Sequence, residues 1–564
     1  MLTRTSSPVS RALRTRWLPT ALAAGACAAS AALAAAQCPG WDVPFGSAAQ
    51  PGVVQALQAF DEGSGPALFA GGQFSSLGGV PASSVARWNG THWSAAGAIT
   101  TIAVNSFAVH DDGSGPALYA GGGFGADIGG QVWRWNGGAW SQVGSTSSAS
   151  SIYALASFDD GTGPALYSAS WGQVLFPPSS YTQISRLSGS SWPVLLSCTN
   201  SAPVFRFATF DDGLGAGPAL YIGGSFTNMT YPGGTIAASG LVRWDGTTLT
   251  AIPLAPAGFT APFVGALCSF DDGSGPALVG GQFGSVNGVA AHNIARLQAG
   301  SWSALGLGVG TNSDSVSSIA AYHDGSGPAV FAIGSFLTAG GNPAQRIARW
   351  DGLGWSALST GLAGGSPIAI AAFDDGIDGD ADLYAGGYFT SAGGFTANKI
   401  ARWFGCSTEV FCAGDGTQAA CPCANFGAAG HGCENSAQTG GAPGRHGKRD
   451  PGHARAHLER ELASSLSIFL QGDATVAPTA FGDGLRCTAG NLKRLYIRNA
   501  ASGTASAPQA GDPSITARSA ALGDPIAPRS TRYYQVYYRD PQLGFCAAPQ
   551  GSSFNVSQAV RIVW

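Results

Sequence analysis

One stretch recurs seven times along this chain and limits its possible folds more than any other feature. In its clearest form it reads Phe270-Asp271-Asp272-Gly273-Ser274-Gly275-Pro276-Ala277-Leu278, followed by Gly280-Gly281. Copies begin at Phe60, His110, Phe158, Phe210, Phe270, His323 and Phe373, the sixth with its triplet slipped to His-Asp-Gly. A second landmark follows each copy: Arg87-Trp88, Arg134-Trp135, Arg186-Leu187, Arg243-Trp244, Arg296-Leu297, Arg349-Trp350 and Arg402-Trp403. In five copies another Trp comes within a few residues: Trp93, Trp140, Trp192, Trp302 and Trp355. A spacing of roughly fifty residues belongs to propeller and solenoid repeats.

Each repeat reads as four short strands. In the sixth copy, residues 317–322 form the first strand, and the turn Asp324-Gly325-Ser326-Gly327-Pro328 follows. There Gly supplies positive φ and Pro fixes it. Residues 329–333, 346–350 and 355–358 follow as strands, the last two joined by Asp351-Gly352, a hairpin signal. Four such strands per unit make a β-propeller blade. Small residues let inner strands approach one another, and the repeated Trp fills the wider outer part. The expected fold is therefore all-β: a seven-bladed β-propeller followed by a small disulfide-rich β domain.

The chain ends fit a closed propeller. The last copy stops at Arg402-Trp403-Phe404-Gly405 without a fourth strand. Residues 41–46 look like a fourth strand with nothing before it, so they are expected to complete the last blade and remove an exposed edge. Cys38 and Cys406 flank that junction, and a bridge between them would replace the missing peptide link. A loop that long is worth about 4 kcal/mol or more in the chain-entropy treatment.

Composition narrows the function classes. Charged residues are 11% of 564, glycines number 84, and the net charge is −4. A typical soluble protein has about 25% charged residues. No basic field exists to attract nucleic acid. Arg4, Arg11, Arg14 and Arg16, then an apolar run over 18–33 and small residues at 34–36, read as a cleaved export signal over residues 1–36. An uncleaved anchor is the alternative reading of that segment. No later stretch is long and apolar enough to span a membrane. Of 11 cysteines, Cys27 would leave with the signal and ten remain. An oxidising compartment follows, whether secreted, cell-surface or periplasmic. Disulfides are expected among Cys38, Cys406, Cys412, Cys421, Cys423, Cys433, Cys487 and Cys546, the pairing within 406–433 left open. The expected divisions are 37–406 for the repeats, 407–436 for a cysteine-rich segment, 437–463 for a linker and 464–564 for a C-terminal β domain.

Ala117-Leu118-Tyr119-Ala120-Gly121-Gly122, then Arg134-Trp135-Asn136-Gly137 and Trp140, resemble a kelch repeat, the repeat of the galactose-oxidase-type central domain. The resemblance covers 41–405 and implies an interaction platform. Oxidase members use copper held by Tyr and His, whereas His92, His110, His292 and His323 are dispersed over different repeats here. The tail resembles a C-terminal module attached to many large secreted bacterial proteins.

Two repeated features carry possible chemistry. An acid stands before the turn glycine in every copy: Glu62, Asp112, Asp160, Asp212, Asp272, Asp324 and Asp375. Calcium is the one ion such turns could hold, best at Asp375, Asp378, Asp380 and Asp382, where several oxygens lie close together. The bland reading is turn chemistry, with Asp bonding backbone amides. The seven repeat arginines read as partners of repeat acids or as stacking on Trp. No other cofactor and no catalytic residue is expected. His453 and His457 have helical metal-ligand spacing but no third ligand.

The candidate ligand site comes from irregularity. The loop between the second and third strands is long in the third and fourth copies and carries Trp171, Phe176, Tyr181, Met229 and Tyr231. Adjacent unusual loops with aromatics point to a binding patch, or to cover for another part of the chain. The expected function is a secreted, non-catalytic binding or scaffold protein, monomeric, presenting a propeller face to an extracellular glycan or protein. The alternative is a secreted polysaccharide lyase or glycosidase, which needs paired acids outside the repeat. Such acids are few, Asp127 and Asp314 among them.

Overall fold

In the computed structural model the chain divides into two units, residues 1–35 and 36–564. The structure describes residues 40–42, most of 52–404, parts of 408–443, residues 456–459, and most of 464–563. Larger breaks within these spans fall at 124–128, 146–149, 257–261, 272–275, 324–327, 375–380, 413–419, 427–432 and 541–553. The export segment and the Cys38–Cys406 bridge lie outside the described residues.

The described chain is all-β, built from many antiparallel sheets. Seven of them contain one four-strand meander, in chain order in six and with its fourth strand drawn from Gly40–Asp42 in the seventh. The first contains Gly52–Asp61, Pro66–Phe74, Val85–Trp88 and Trp93–Ala95. Later sheets begin with Ala103–Asp111, Ser150–Asp159, Val204–Phe210, Leu267–Asp271, Val316–His323 and Pro367–Asp374.

The repeat residues explain the meander. Asp61 Oδ1 accepts from the amides of Gly63 and Gly65 at 2.8 and 3.1 Å, and Asp111 and Asp159 do the same for their own turns. Gly63 and Gly65 sit at φ of 93° and 103°, where a Cβ is disfavoured. The second acid reaches the repeat Arg on the third strand: Glu62 to Arg87, Asp112 to Arg134, Asp160 to Arg186 and Asp212 to Arg243. One acid therefore shapes the turn and the next ties it to the third strand. In the sixth copy His323 pairs with Pro328 as Asp61 pairs with Pro66, so Tyr322, not His323, takes the Phe position.

The first strand of each sheet packs beside the first strand of the next, and that of the seventh packs beside that of the first. Glycine permits the approach. A Cβ on Gly71 would come 2.6 Å from Val104 in the second sheet, and one on Gly386 of the seventh sheet 2.5 Å from Val54 of the first. A Trp staples the outer parts. Trp140 Nε1 donates to Ala96 O at 2.6 Å, Trp192 to Val143 O at 3.0 Å and Trp355 to Leu305 O at 2.8 Å, each reaching back to the preceding repeat.

Gly40–Asp42 completes the seventh sheet. Trp41 lies opposite Trp403 in antiparallel register, and residues 43–46 of the strand expected over 41–46 lie outside the described residues. The Trp41–Trp403 ring pair, 5.3 Å between centroids, reproduces Trp88–Trp93, Trp135–Trp140 and Trp350–Trp355 at 5.6, 5.2 and 5.5 Å. Trp41 Nε1 donates to Leu358 O at 3.1 Å, the same staple across 317 residues.

The expected long loops of the third and fourth copies are largely strand. Pro164–Leu175 and Pro178–Arg186 extend one hairpin, and Asn228–Tyr231 pairs with Gly234–Ala237. A contact between Ser197 and Thr230 joins the two into a six-stranded sheet. Alternating side chains there satisfy a strand pattern that long-loop reasoning overlooks.

The C-terminal part forms its own sheet from Thr408–Phe411, Ala559–Val563, Thr531–Arg539, Leu466–Gly472 and Lys493–Asn499. Its core packs Phe469, Tyr496, Tyr534 and Tyr538 together, with Phe404 of the seventh sheet included. Cys412–Cys487 and Cys421–Cys433 are bridged, Cys198 and Cys268 are not disulfide-bonded, and Cys423 and Cys546 lie outside the described residues. Within 437–463, read from sequence as a linker, Ala442–Pro443 and Ala456–Glu459 are strands, the latter paired with Ala505–Ala507. His457 is thus on a strand, where the helical i, i+4 argument does not hold.

Candidate functional site

The seven first strands converge on a cavity of 240 Å³, to which every one of them contributes, from Gln55 on the first to Ile370 on the seventh. That volume is near the lower end of the about 300–1,000 Å³ typical of small-ligand sites.

A bulge in the first strand sets which residues line it. The register slips by one residue just before Ala56, Ser106, Ala154, Arg206, Ser318 and Ala369. Counting from the Phe-type position of each copy, the fifth sheet places Ala266 there. Six of the seven positions therefore carry Ala or Ser, and the fourth carries arginine. Bulges re-aim side chains in this way beside functional sites.

Arg206 enters the cavity from Val204–Phe210, opposite Gly223. Its Nη1 donates to Phe205 O, the carbonyl of the bulged residue, at 3.1 Å. Among the described residues no carboxylate pairs with it, in contrast to the repeat arginines on the third strands. Burial pulls its guanidinium below the ordinary arginine range. The rest of the lining mixes amides and hydroxyls with apolar groups. Gln55 Oε1 is buried without a partner, while Asn105 Nδ2 donates to Ile152 O at 2.9 Å and Ser106 Oγ accepts from the Leu155 amide at 3.1 Å. No Asp, Glu, His, Lys or Cys is among the described residues that line the cavity.

Tyr153 and Phe205 are the bulged residues immediately before Ala154 and Arg206. With Trp171 and Phe263 they make a half-buried aromatic arc. Trp171 meets Tyr153 and Tyr153 meets Phe205, each at 6.3 Å edge to face, and Phe205 meets Phe263 at 5.5 Å.

The residues expected from sequence fall in different places. Trp171 belongs to this arc. Tyr181 is half-buried on the same hairpin, one residue along from Trp171's cross-strand partner Thr182. Met229 has no exposed surface and fills the core between the third and fourth sheets, so it presents nothing to a ligand. Tyr231 packs against Trp244 at 6.2 Å in that same core. Phe176 lies outside the described residues, as do Asp375, Asp378 and Asp380 of the calcium reading. Asp382 is buried and paired with Arg402 at 3.1 Å. Asp314 closes a local turn by accepting from the Thr311 amide and hydroxyl at 2.6 and 2.8 Å, and Asp127 is outside the described residues. Sequence reasoning missed Arg206, although its signal, one large cation among six small residues at a fixed repeat position, is present in the chain.

The repeat ion pairs are structural. Ser114, Tyr119 and Arg134 hold the Asp112 carboxyl below the usual range, the Ser114 hydroxyl most of all. Burial and the Asp160 carboxylate push the Tyr167 hydroxyl well up.

No family model matches the chain, and no curated protein matches it. Solved structures with some likeness include Sqt1 from Chaetomium thermophilum, at 13% identity and a TM-score of 0.24, covering 54% of this chain and 88% of that one. Another is a bifunctional GH43-CE protein from Bacteroides eggerthii, at 10% identity and a TM-score of 0.21, covering 81% of this chain and 59% of that one. Scores this low define no common fold.

Proposed function

We propose that the seven sheets form a closed, seven-bladed β-propeller of kelch-like repeats, and that the protein is an exported binding protein that holds a glycan at the propeller axis without turning it over. The packing of first strand on first strand through the seventh and back to the first supports the ring, as do the Gly386–Val54 approach and the pairing of Trp41 with Trp403. The bridged Cys412–Cys487 and Cys421–Cys433 fit an oxidising extracellular or periplasmic setting. No helix among the described residues is long and apolar enough to cross a membrane.

The lining of the cavity carries the functional reading. It combines one cation, amides, hydroxyls and apolar surface, which is recognition chemistry. General acid–base work needs a group that titrates near the working pH, and the lining residues supply none. The test applies the mature chain to a glycan and protein array, with product analysis of every glycan that binds. Capture of a glycan unchanged after incubation supports the proposal. Cleavage of a captured polysaccharide, or capture of proteins alone, overturns it.

A further inference from the structure

The bulge does not require arginine at position 206, whose one described hydrogen bond is to the Phe205 carbonyl. The equivalent position in the six other copies is Ala or Ser, and in five of them that residue follows the same bulge in the same sheet register. An arginine there brings a formal charge into a cavity whose other groups are neutral. The guanidinium is half-buried with only a neutral carbonyl as its described partner, and a charge partly removed from water without a counter-charge is costly. A ligand that supplies the opposite charge recovers that cost, and the Arg fork is shaped for a planar carboxylate.

The remaining lining narrows the ligand. A single cation matches a single negative charge, which favours a monocarboxylate over the doubly charged sulfate or phosphate. Gln55, with an unpartnered amide oxygen, faces the same cavity and accepts from a hydroxyl. Leu155, Phe207, Leu267 and Ile370 supply apolar walls. Ser106 and Ser318 add hydroxyls and Asn105 and Gln58 add amides to the same wall, while the rings of Trp171, Tyr153, Phe205 and Phe263 are not among those that line it. The volume of 240 Å³ limits the occupant to about one sugar ring.

We infer that the cavity binds an acidic sugar, a hydroxylated monocarboxylate of one-ring size, with its carboxylate on the Arg206 guanidinium and a ring hydroxyl on the Gln55 amide oxygen. This rests on the binding reading above and gives it a ligand class. The uronate enters as a free monosaccharide or as the end residue of a chain.

Calorimetric titration of the mature full chain with galacturonate, glucuronate, the neutral galactose and glucose, and inorganic sulfate tests it. Uronates bind at least tenfold more tightly than their neutral counterparts and more tightly than sulfate. Arg206→Gln loses at least tenfold in uronate affinity while keeping the wild-type circular dichroism spectrum, and Arg206→Lys loses less. Thermal denaturation gives an independent readout. Without ligand, Arg206→Met melts at a higher temperature than wild type, because the uncompensated charge is gone. Uronate raises the melting temperature of wild type and not of Arg206→Met. Equal binding of neutral sugars, tighter binding of sulfate, or uronate binding unchanged in Arg206→Gln overturns the inference. A neutral glycan held equally by wild type and Arg206→Gln removes this inference and leaves the binding function standing. Depolymerisation of a uronate polymer that depends on Arg206 removes the binding-only function and supports the carboxylate contact.

Discussion

Arg243 Nε donates to Asp212 Oδ2 at 2.5 Å with both side chains buried, while the equivalent Arg134–Asp112 pair in the second sheet, at 3.3 Å, is partly open to solvent. Tyr221 Oη adds a hydrogen bond of 2.6 Å to the same Asp212 oxygen. One repeat position thus holds a buried ion pair in one sheet and an exposed one in another. Asp212→Asn leaves the buried guanidinium with only the half-exposed Asp245 carboxylate, 3.3 Å away, and is expected to cost about 3 kcal/mol. Asp112→Asn is expected to cost under about 1 kcal/mol. Urea denaturation of the two variants side by side measures the difference. Similar costs would mean that the two environments do not differ as described.

Trp41 holds the seventh sheet from the other end of the chain. Trp41→Ala removes its ring contact with Trp403 and its bond to Leu358 O, and the expected loss is about 3–5 kcal/mol. Trp355→Ala, which removes the matching ring contact with Trp350 and the matching bond to Leu305 O of the preceding repeat, sets the scale. A loss under about 1 kcal/mol in Trp41→Ala alone would show that Gly40–Asp42 does not complete the sheet in solution.

Gly78 and Gly79 separate two effects of glycine. Both have positive φ, 59° and 80°. A Cβ on Gly78 would stand 2.2 Å from Trp93 Cδ1, whereas one on Gly79 meets nothing within 4 Å. Gly79→Ala should cost about 1 kcal/mol through its backbone alone. Gly78→Ala should cost about 1–3 kcal/mol more through the displaced indole. Thermal denaturation with tryptophan fluorescence reads both the stability and the indole environment.

His110 takes a position that is Phe in most copies, sharing a 2.9 Å hydrogen bond with Ser157 of the next sheet and packing on Tyr119. Burial lowers its pKa, opposed by the charges of Asp112 and Asp111. The unfolded chain therefore takes up the proton first as pH falls. Stability contributed by the neutral ring is complete above the unfolded value of about 6.5 and declines as pH drops from there toward the folded pKa. His110→Phe should remove this component, so the difference in denaturation midpoint between wild type and variant should shift in the variant's favour from pH 8 to pH 5. A difference that does not change with pH would place the ring in solvent.

The repeat made the four-strand units legible because turn chemistry is local. Asp61 and its glycines dictate the hairpin from within a few residues, and Trp41 could be matched to Trp93 by its own sequence context. Pairing between Glu62 and Arg87 was legible for the same reason, both positions recurring in step. The aromatic residues were harder. Met229 and Trp171 look alike in sequence as apolar residues in an irregular stretch, yet one faces the core and the other a solvent-facing arc. Which way each points depends on the pairing of Ser197 with Thr230 and on the packing of two sheets, neither of which is local. Arg206 is an exception visible in the repeat, but the cavity it enters exists only where seven strands from distant parts of the chain meet.

The clasp between Gly40–Asp42 and Ile400–Phe404 also fixes an order of assembly. Six sheets close on themselves within a single repeat and can form as soon as that repeat is available. The seventh cannot form until residue 404 has arrived, and its closing strand must then be retrieved from the far end of the chain, against the entropy of the longest loop in the repeat region. Until that moment Trp41 has no partner and the edge of Ile400–Phe404 is unpaired. Slow folding, strand exchange between chains and proteolytic trimming should all concentrate at this one seam.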